Sequence, residues 1–134
     1  MLTIQRYAQW NRQIIVREIL KGMKWKAGEP VIIPATMKEG IILGVGKGNA
    51  EWNCSAPHGS GRRLKREDVK NQHTVSEFKK EMKGIYSSCV GAETLDEAPF
   101  AYRSITEIAE RIKDTVEITE IVKPVYNFKA GSRK

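Results

Sequence analysis

The run Ala56-Pro57-His58-Gly59-Ser60-Gly61-Arg62-Arg63 sets one histidine ahead of small residues and two guanidinium groups. Glycines let a phosphate come close to backbone amides, and arginine offers planar donors to its oxygens. Imidazole, with a reference pKa of ~6.5, is largely neutral at pH 7 and is a competent nucleophile toward phosphorus. His58 could therefore attack a phosphorus as well as bind it, although an ordinary surface turn fits the same local spacing. Lys47-Gly48-Asn49 and the cluster Arg62, Arg63, Lys65 and Arg66 would make a basic rim if the loop folds back; a solvated charge run is the alternative. Cys54 precedes His58 by a distance compatible with shared metal ligation, yet no further ligand lies nearby, so a buried or loop thiol is preferred. His73 reads as a solvated residue ahead of a helix cap. Trp25 and Trp52 could stack on bases, against the commoner role of tryptophan in packing.

From Gly46 to Arg66 the chain has no periodicity, which predicts an extended functional loop that flanking elements must hold. Before it, Val31-Ile32-Ile33 and Ile41-Ile42-Leu43-Gly44-Val45 predict two strands, a hairpin across Lys38-Glu39-Gly40. Residues 3–21 put Ile4, Tyr7, Ala8, Ile14, Ile15 and Ile19 at mostly helical spacing, with Gly22 as the stop. Thr74-Val75-Ser76-Glu77 and Ser104-Ile105-Thr106-Glu107 match the capping box, in which a hydroxyl and a carboxylate satisfy free amides at a helix start. They predict helices ending near Gly84 and Lys113. Ile85 to Val90 predicts a strand and residues 93–97 an acidic loop. Val116, Ile118, Ile121 and Val122, then Val125, Tyr126 and Phe128, predict the last strands, with Pro124 dividing them or sitting at an edge. The expectation is an α+β fold in one domain over 1–134, with three helices: a helix over 1–22, strands and the loop over 23–66, and a helix and strand remainder over 67–134.

Composition supports a globular chain of that size. There are 134 residues, 40% hydrophobic and 29% charged, which is ordinary for one folded domain and argues against disorder or a coiled coil. No apolar run approaches the ~20 residues needed to span a bilayer, and the first residues carry no signal-peptide core. The expected compartment is the cytoplasm, with no membrane partner. Cys54 and Cys89 are too few for a disulfide framework and form no CxxC pair, so reduced thiols are expected. A net charge of +7 biases the chain toward polyanions, because cations placed near phosphates release condensed counterions.

Three separated stretches then carry a resemblance. They are Gly46-Lys47-Gly48-Asn49 on through Trp52-Asn53-Cys54-Ser55-Ala56-Pro57-His58-Gly59-Ser60-Gly61-Arg62, then Asp96-Glu97-Ala98-Pro99-Phe100-Ala101-Tyr102, and lastly Val125-Tyr126-Asn127-Phe128-Lys129. In this order they resemble the RtcB RNA ligases, also called tRNA-splicing ligases, whose signature is His-Gly-Ala-Gly-Arg. The resemblance implies a partial RtcB-like fold and a three-step reaction. A histidine takes GMP from GTP; an RNA 3′-phosphate, usually produced from a 2′,3′-cyclic phosphate, takes the GMP; a 5′-hydroxyl displaces it and seals the strand. His58 matches the guanylated histidine. Gly59, Ser60 and Gly61 match the loop around the nucleotide, with Ser60 for the usual alanine. Pro34-Ala35-Thr36-Met37 matches a nucleotide-contacting Pro-Gly-Ser-Met type element, and Lys129 the near-terminal lysine that reaches the guanine nucleotide. Arg62, Arg63 and Arg66 would face RNA phosphates.

The chain also departs from the family pattern. Ile41 stands on the GTP wall where many relatives carry a serine, and it cannot hydrogen-bond through its side chain. Leu64-Lys65-Arg66 replaces a Met-Ser-Arg type sequence. The family's manganese is held by an aspartate, a cysteine and histidines upstream of the signature, and none of those histidines is present, so no metal ligand is assigned here. Tyr7-Ala8-Gln9-Trp10-Asn11-Arg12 resembles a family helix that is normally followed by a His-Asn pair; here Gly22-Met23-Lys24-Trp25-Lys26 passes at once into Ala27-Gly28-Glu29-Pro30. The expectation is a truncated, internally deleted carboxy-terminal portion of a GTP-dependent RNA ligase, inactive alone, with GTP and RNA as partners and a separately encoded metal-binding half or an accessory activator as a further one. A degenerate nucleotide- or RNA-binding remnant and a gene fragment without function are the alternatives.

Overall fold

The computed structural model describes residues 27–128. The helix expected over 1–22, Trp25 and Lys129 lie outside the described residues.

The β-branched runs form the expected hairpin. Strand β1 (Pro30–Pro34) pairs antiparallel with β2 (Ile41–Gly46), Ile33 standing opposite Ile42. Val31 and Ile33 are buried while Pro30, Ile32 and Pro34 are exposed, the alternation of a half-buried strand. A proline at each end lacks a backbone donor, which suits the edge position that β1 holds in the order β1-β2-β4. Strand β4 (Val116–Val122) closes the other side of β2, with a bulge at Leu43/Gly44. Gly40 ends the β1–β2 connection at φ +95, where an added Cβ would lie 2.0 Å from the Val122 carbonyl oxygen. No other residue permits that turn and that approach together.

Two cores flank this connection. The predicted caps at Thr74 and Ser104 start helices α2 (Val75–Glu81) and α3 (Ile105–Arg111). Ile108 and Ile112 of α3 and its end pack on Val31, Ile33, Ile42 and Val116 of the sheet. The second core gathers Val69, Phe78, Met82, Leu95, Ala98 and Ala101 from α1 (Arg66–Gln72), α2 and the 3-10 turns Ala92–Glu97 and Pro99–Ala101, and it takes in Met37 from the hairpin connection. The connection is thus fixed from both sides. Thr36 Oγ1 accepts from the Glu39 amide at 3.1 Å, and Glu39 Oε1 accepts from the Ile105 amide at 3.0 Å, tying the connection to the first turn of α3.

The mixed α and β composition matches the expected class, but several elements differ from the sequence reading. Helix α1 was not expected. It has a single buried residue, Val69, and no side-chain cap at Lys65, so it carries neither periodicity nor a capping signal; Glu67 and Asp68 in its first turn suit the positive end of the helix dipole. Residues 93–97, read as an acidic loop, lie in a 3-10 helix in which Thr94, Leu95 and Asp96 are buried. The strand expected over Ile85–Val90 shrinks to β3 (Tyr86–Ser87), parallel to β5 (Tyr126–Asn127). Pro124 does separate β4 from β5. No helix among the described residues is long and apolar enough to cross a membrane.

Candidate nucleotide and RNA site

The signature loop is pinned to the end of β1. The Ser60 amide donates to the Pro34 carbonyl at 3.1 Å, and the Ser60 hydroxyl donates to the Ala35 carbonyl at 3.4 Å. The Ser60 side chain thereby adds a bond between the loop and the end of β1, and Ser60 is buried. Gly61 follows at φ +68, a left-handed conformation that favours glycine, and a Cβ there would meet only the flexible end of Arg103, Nη1 at 2.8 Å. The Arg103 amide donates to the Gly61 carbonyl at 3.1 Å.

One cavity of about 420 Å³ brings Pro34, Ala35, Thr36 and Met37 to the same walls as His58, Gly59, Ser60, Gly61 and Arg62, with Glu97 and Tyr102 completing it. His58 is exposed at its mouth rather than buried among apolar side chains. The volume falls within the range of ordinary ligand sites. Ile41 is not on this cavity. It lines a neighbouring one of about 350 Å³ that shares Pro34–Met37 and reaches Pro124, Tyr126 and Asn127. Asn127 Nδ2 donates to the Met37 carbonyl, so the segment leading to Lys129 passes beside the Pro34–Met37 element.

The expected basic rim is largely internal. Arg62 Nη1 donates to the Asp96 carbonyl at 2.6 Å, and its Nη2 donates to Glu97 Oε1 at 2.6 Å and the Tyr102 hydroxyl at 2.8 Å. Its guanidinium also lies 4.6 Å from the centre of the Tyr102 ring. Arg66 pairs with Asp96 and, at 2.7 Å, with Glu97. Tyr102 donates to Glu97 Oε2 at 2.5 Å. Arg63 pairs with Glu107 at 2.6 Å. Lys47 and Asn49 reach the Lys113 and Asp114 carbonyls at 2.5 and 3.1 Å, and neither lines the cavities of about 420 and 610 Å³ that His58 lines. The 3-10 helix is buried because two arginines from the signature loop and the start of α1 answer its carboxylates. Glu97 and Tyr102 were part of the resemblance but had been given no role; their signal was the match itself.

Burial and the Glu97 carboxylate raise the Tyr102 pKa to about 12. A raised value means that this contribution to stability is complete below the unfolded tyrosine range and is lost as pH rises through the folded value. Spectrophotometric titration is therefore expected to show a late tyrosine component that Tyr102→Phe removes. A substitution that removes a component from the ordinary tyrosine range instead would reject the raised value and the burial and Glu97 contact behind it. Glu107 is held below the ordinary glutamate range chiefly by the hydrogen bond from Arg63.

The remaining candidates sit apart from the cavity. His73, expected to be solvated, stacks on Phe100 at 4.1 Å and lies 3.8 Å from Glu77. Cys54, in the left-handed region at φ 52, donates to the Gly48 carbonyl at 3.4 Å and is a free thiol. Trp52 is 54% exposed.

With this geometry in place, comparison with known proteins is specific. The family model described as tRNA-splicing ligase RtcB matches residues 18–130. The chain is similar to the tRNA-splicing ligase RtcB of Nanoarchaeum equitans, 37% identical over 103 residues covering 72% of this chain and 21% of that protein. It is 36% identical over 88 residues to the tRNA-splicing ligase RtcB of Aeropyrum pernix, covering 62% of this chain and 18% of that one. It is 31% identical over 100 residues to the RNA-splicing ligase RtcB of Escherichia coli K12, covering 75% and 24%. The chain therefore spans between about a fifth and a quarter of the length of these relatives.

Proposed function

Since the chain belongs to the RtcB family of tRNA-splicing ligases, we propose that it forms the guanylate-accepting wall of a GTP-dependent RNA ligase, with His58 as the nucleophile. The observation that carries this reading is the single cavity walled by His58-Gly59-Ser60-Gly61 on one side and Pro34–Met37 on the other. A ring nitrogen of His58 attacks the α-phosphorus of GTP; the phosphorus–nitrogen bond forms as the bond to the β-phosphate bridging oxygen breaks, and pyrophosphate leaves. An RNA 3′-phosphate oxygen then takes the GMP from His58, and a 5′-hydroxyl displaces GMP to form the phosphodiester. Gly59 and Gly61 let the phosphates approach the loop backbone, and the resemblance assigns Lys129, outside the described residues, to the guanine nucleotide.

Manganese, which the resemblance implies, does not fit the described residues: no group of three or more His, Cys, Asp or Glu side chains among them could hold an ion. The steps that belong to this chain are binding the nucleotide, presenting the imidazole and aligning the loop. On this reading a metal-bearing segment or an accessory activator, which the described residues do not supply, completes the site. The same observation, with Arg62 and Arg66 already paired to carboxylates, favours a second reading in which the chain binds nucleotide or RNA without turning it over.

Histidine modification tests the pocket directly. Diethyl pyrocarbonate is expected to modify His58, which is exposed, faster than His73, which is stacked on Phe100. GTP at ten times its Kd should slow the His58 reaction by about tenfold, by simple occupancy, and leave His73 unchanged. Equal His58 rates with and without saturating GTP would remove the nucleotide assignment.

A further inference from the structure

We propose that a second cavity, which shares His58–Gly61 with the guanylate pocket but is otherwise walled by α3 and Trp52, binds a base and a backbone phosphate of a single RNA strand; the identity of the ligand as RNA rests on the ligase reading above. This cavity measures about 610 Å³ and runs between the loop and α3. Buried Ile108 and Ile112 line it, Trp52 forms a wall with half its surface exposed, and Arg103 and Arg111 stand at its edge. No acidic side chain lines it among the described residues.

Charge decides what enters. Glu107 is shared by Arg63 at 2.6 Å, Arg103 at 3.6 Å and Arg111 at 3.2 Å, so three positive charges meet one negative and an excess of two remains. The next carboxylate on the helix, Glu110, is paired with Lys113 at 2.5 Å. Guanidinium groups with an incomplete set of anionic partners are matched by phosphate, which accepts planar paired donors. An apolar slot with an exposed indole is matched by the face of a base, whose stacking tolerates any sequence. A peptide or lipid would satisfy the slot or the charges, but a nucleotide unit supplies a flat apolar face and an anion at fixed separation.

Position supplies the functional argument. His58 lines both cavities. A strand seated on Trp52 and Arg111 would reach the imidazole from this cavity, while the guanine nucleotide reaches it from the one walled by Pro34–Met37. The two substrates of the ligase would meet at one side chain without passing each other.

The test is fluorescence anisotropy on the full chain with a fluorescein-labelled oligoadenylate of about ten nucleotides, long enough to cover a typical single-strand site. Trp52→Ala is expected to weaken binding by about tenfold and Trp52→Phe to retain most of the affinity, because the ring face persists. Arg111→Ala is expected to weaken binding and to reduce the slope of log affinity against log salt by about one. Circular dichroism checks that each variant folds; Arg111 has 65% of its side chain exposed, so its salt slope decides the matter even if the tryptophan variant is unstable. Affinity and slope unchanged in both Trp52→Ala and Arg111→Ala would overturn the proposal. Protection of His58 by GTP in the unaltered chain decides the ligase reading separately, so loss of one does not imply loss of the other.

Discussion

His58→Ala is expected to abolish the transfer of labelled guanylate to the protein, with a drop of at least about a thousandfold, as is usual when a covalent nucleophile is deleted. The measurement is incubation with GTP labelled at its α-phosphate and manganese, followed by a search for an adduct that acid destroys, the behaviour of a phosphorus–nitrogen bond. His58 is exposed and its backbone neighbours are held by Ser60 and Gly61, so the substitution removes the nucleophile and leaves the walls standing. His73→Ala serves as the control, since that ring stacks on Phe100 and lines none of the cavities shared by the loop. The described residues hold no group of three or more His, Cys, Asp or Glu side chains that could bind an ion, and on the proposed reading a Lewis acid supplied from elsewhere would be worth several kcal/mol in the transition state. Labelling by the chain alone should then be slower than in a full-length relative by about a thousandfold, at 1.36 kcal/mol per tenfold. Label that persists in His58→Ala would sink the mechanism. No label at high protein concentration, together with intact protection of His58 by GTP, would select the non-catalytic reading.

How much of this was legible in the sequence follows from the range of the forces involved. The β1–β2 hairpin and the starts of α2 and α3 are local: β-branched runs favour a pleated strand, and Thr74 with Glu77 closes a capping box within four consecutive residues. Helix α1 buries one residue, Val69, in the core it shares with Phe78 and Leu95, and pairs Arg66 with Asp96 and Glu97, tertiary contacts with no periodic trace. The burial of Asp96 depends on Arg62 and Arg66, some thirty residues earlier in the chain. An acidic run predicts solvent exposure only when its counter-ions are unknown. The site shows the same division. His58 and its loop stood out through residue type alone, and Pro34–Met37 through resemblance, yet their meeting on one cavity required the Ser60–Pro34 bond. The arginines were read as free cations because a sequence displays charges without their partners.

Those partners make a strong test of how the loop is held. Glu97→Ala is expected to destabilise the fold by about 2–3 kcal/mol, the scale of losing charge-assisted hydrogen bonds in a partly buried network. For a domain of this size that is roughly 8–12 °C in Tm. The carboxylate accepts from Arg62 at 2.6 Å, Arg66 at 2.7 Å and Tyr102 at 2.5 Å. Without it, Arg62, whose side chain is only 23% exposed, keeps the Asp96 carbonyl, the Tyr102 hydroxyl and ring, and Asp96 Oδ2 at 3.9 Å, and loses its close carboxylate partner. Arg62 follows Gly61 directly, so a guanidinium drawn toward water pulls the Gly59–Gly61 backbone away from Pro34. The loss should therefore appear twice, as a lower Tm in thermal unfolding and as weaker GTP protection of His58 at temperatures where the variant remains folded. Glu97→Gln retains a carbonyl acceptor without the charge and should fall between the two in both measurements. A variant with lowered Tm but undiminished protection would show that the network supports the second core alone and that the loop is held by Ser60 and Pro34 without it.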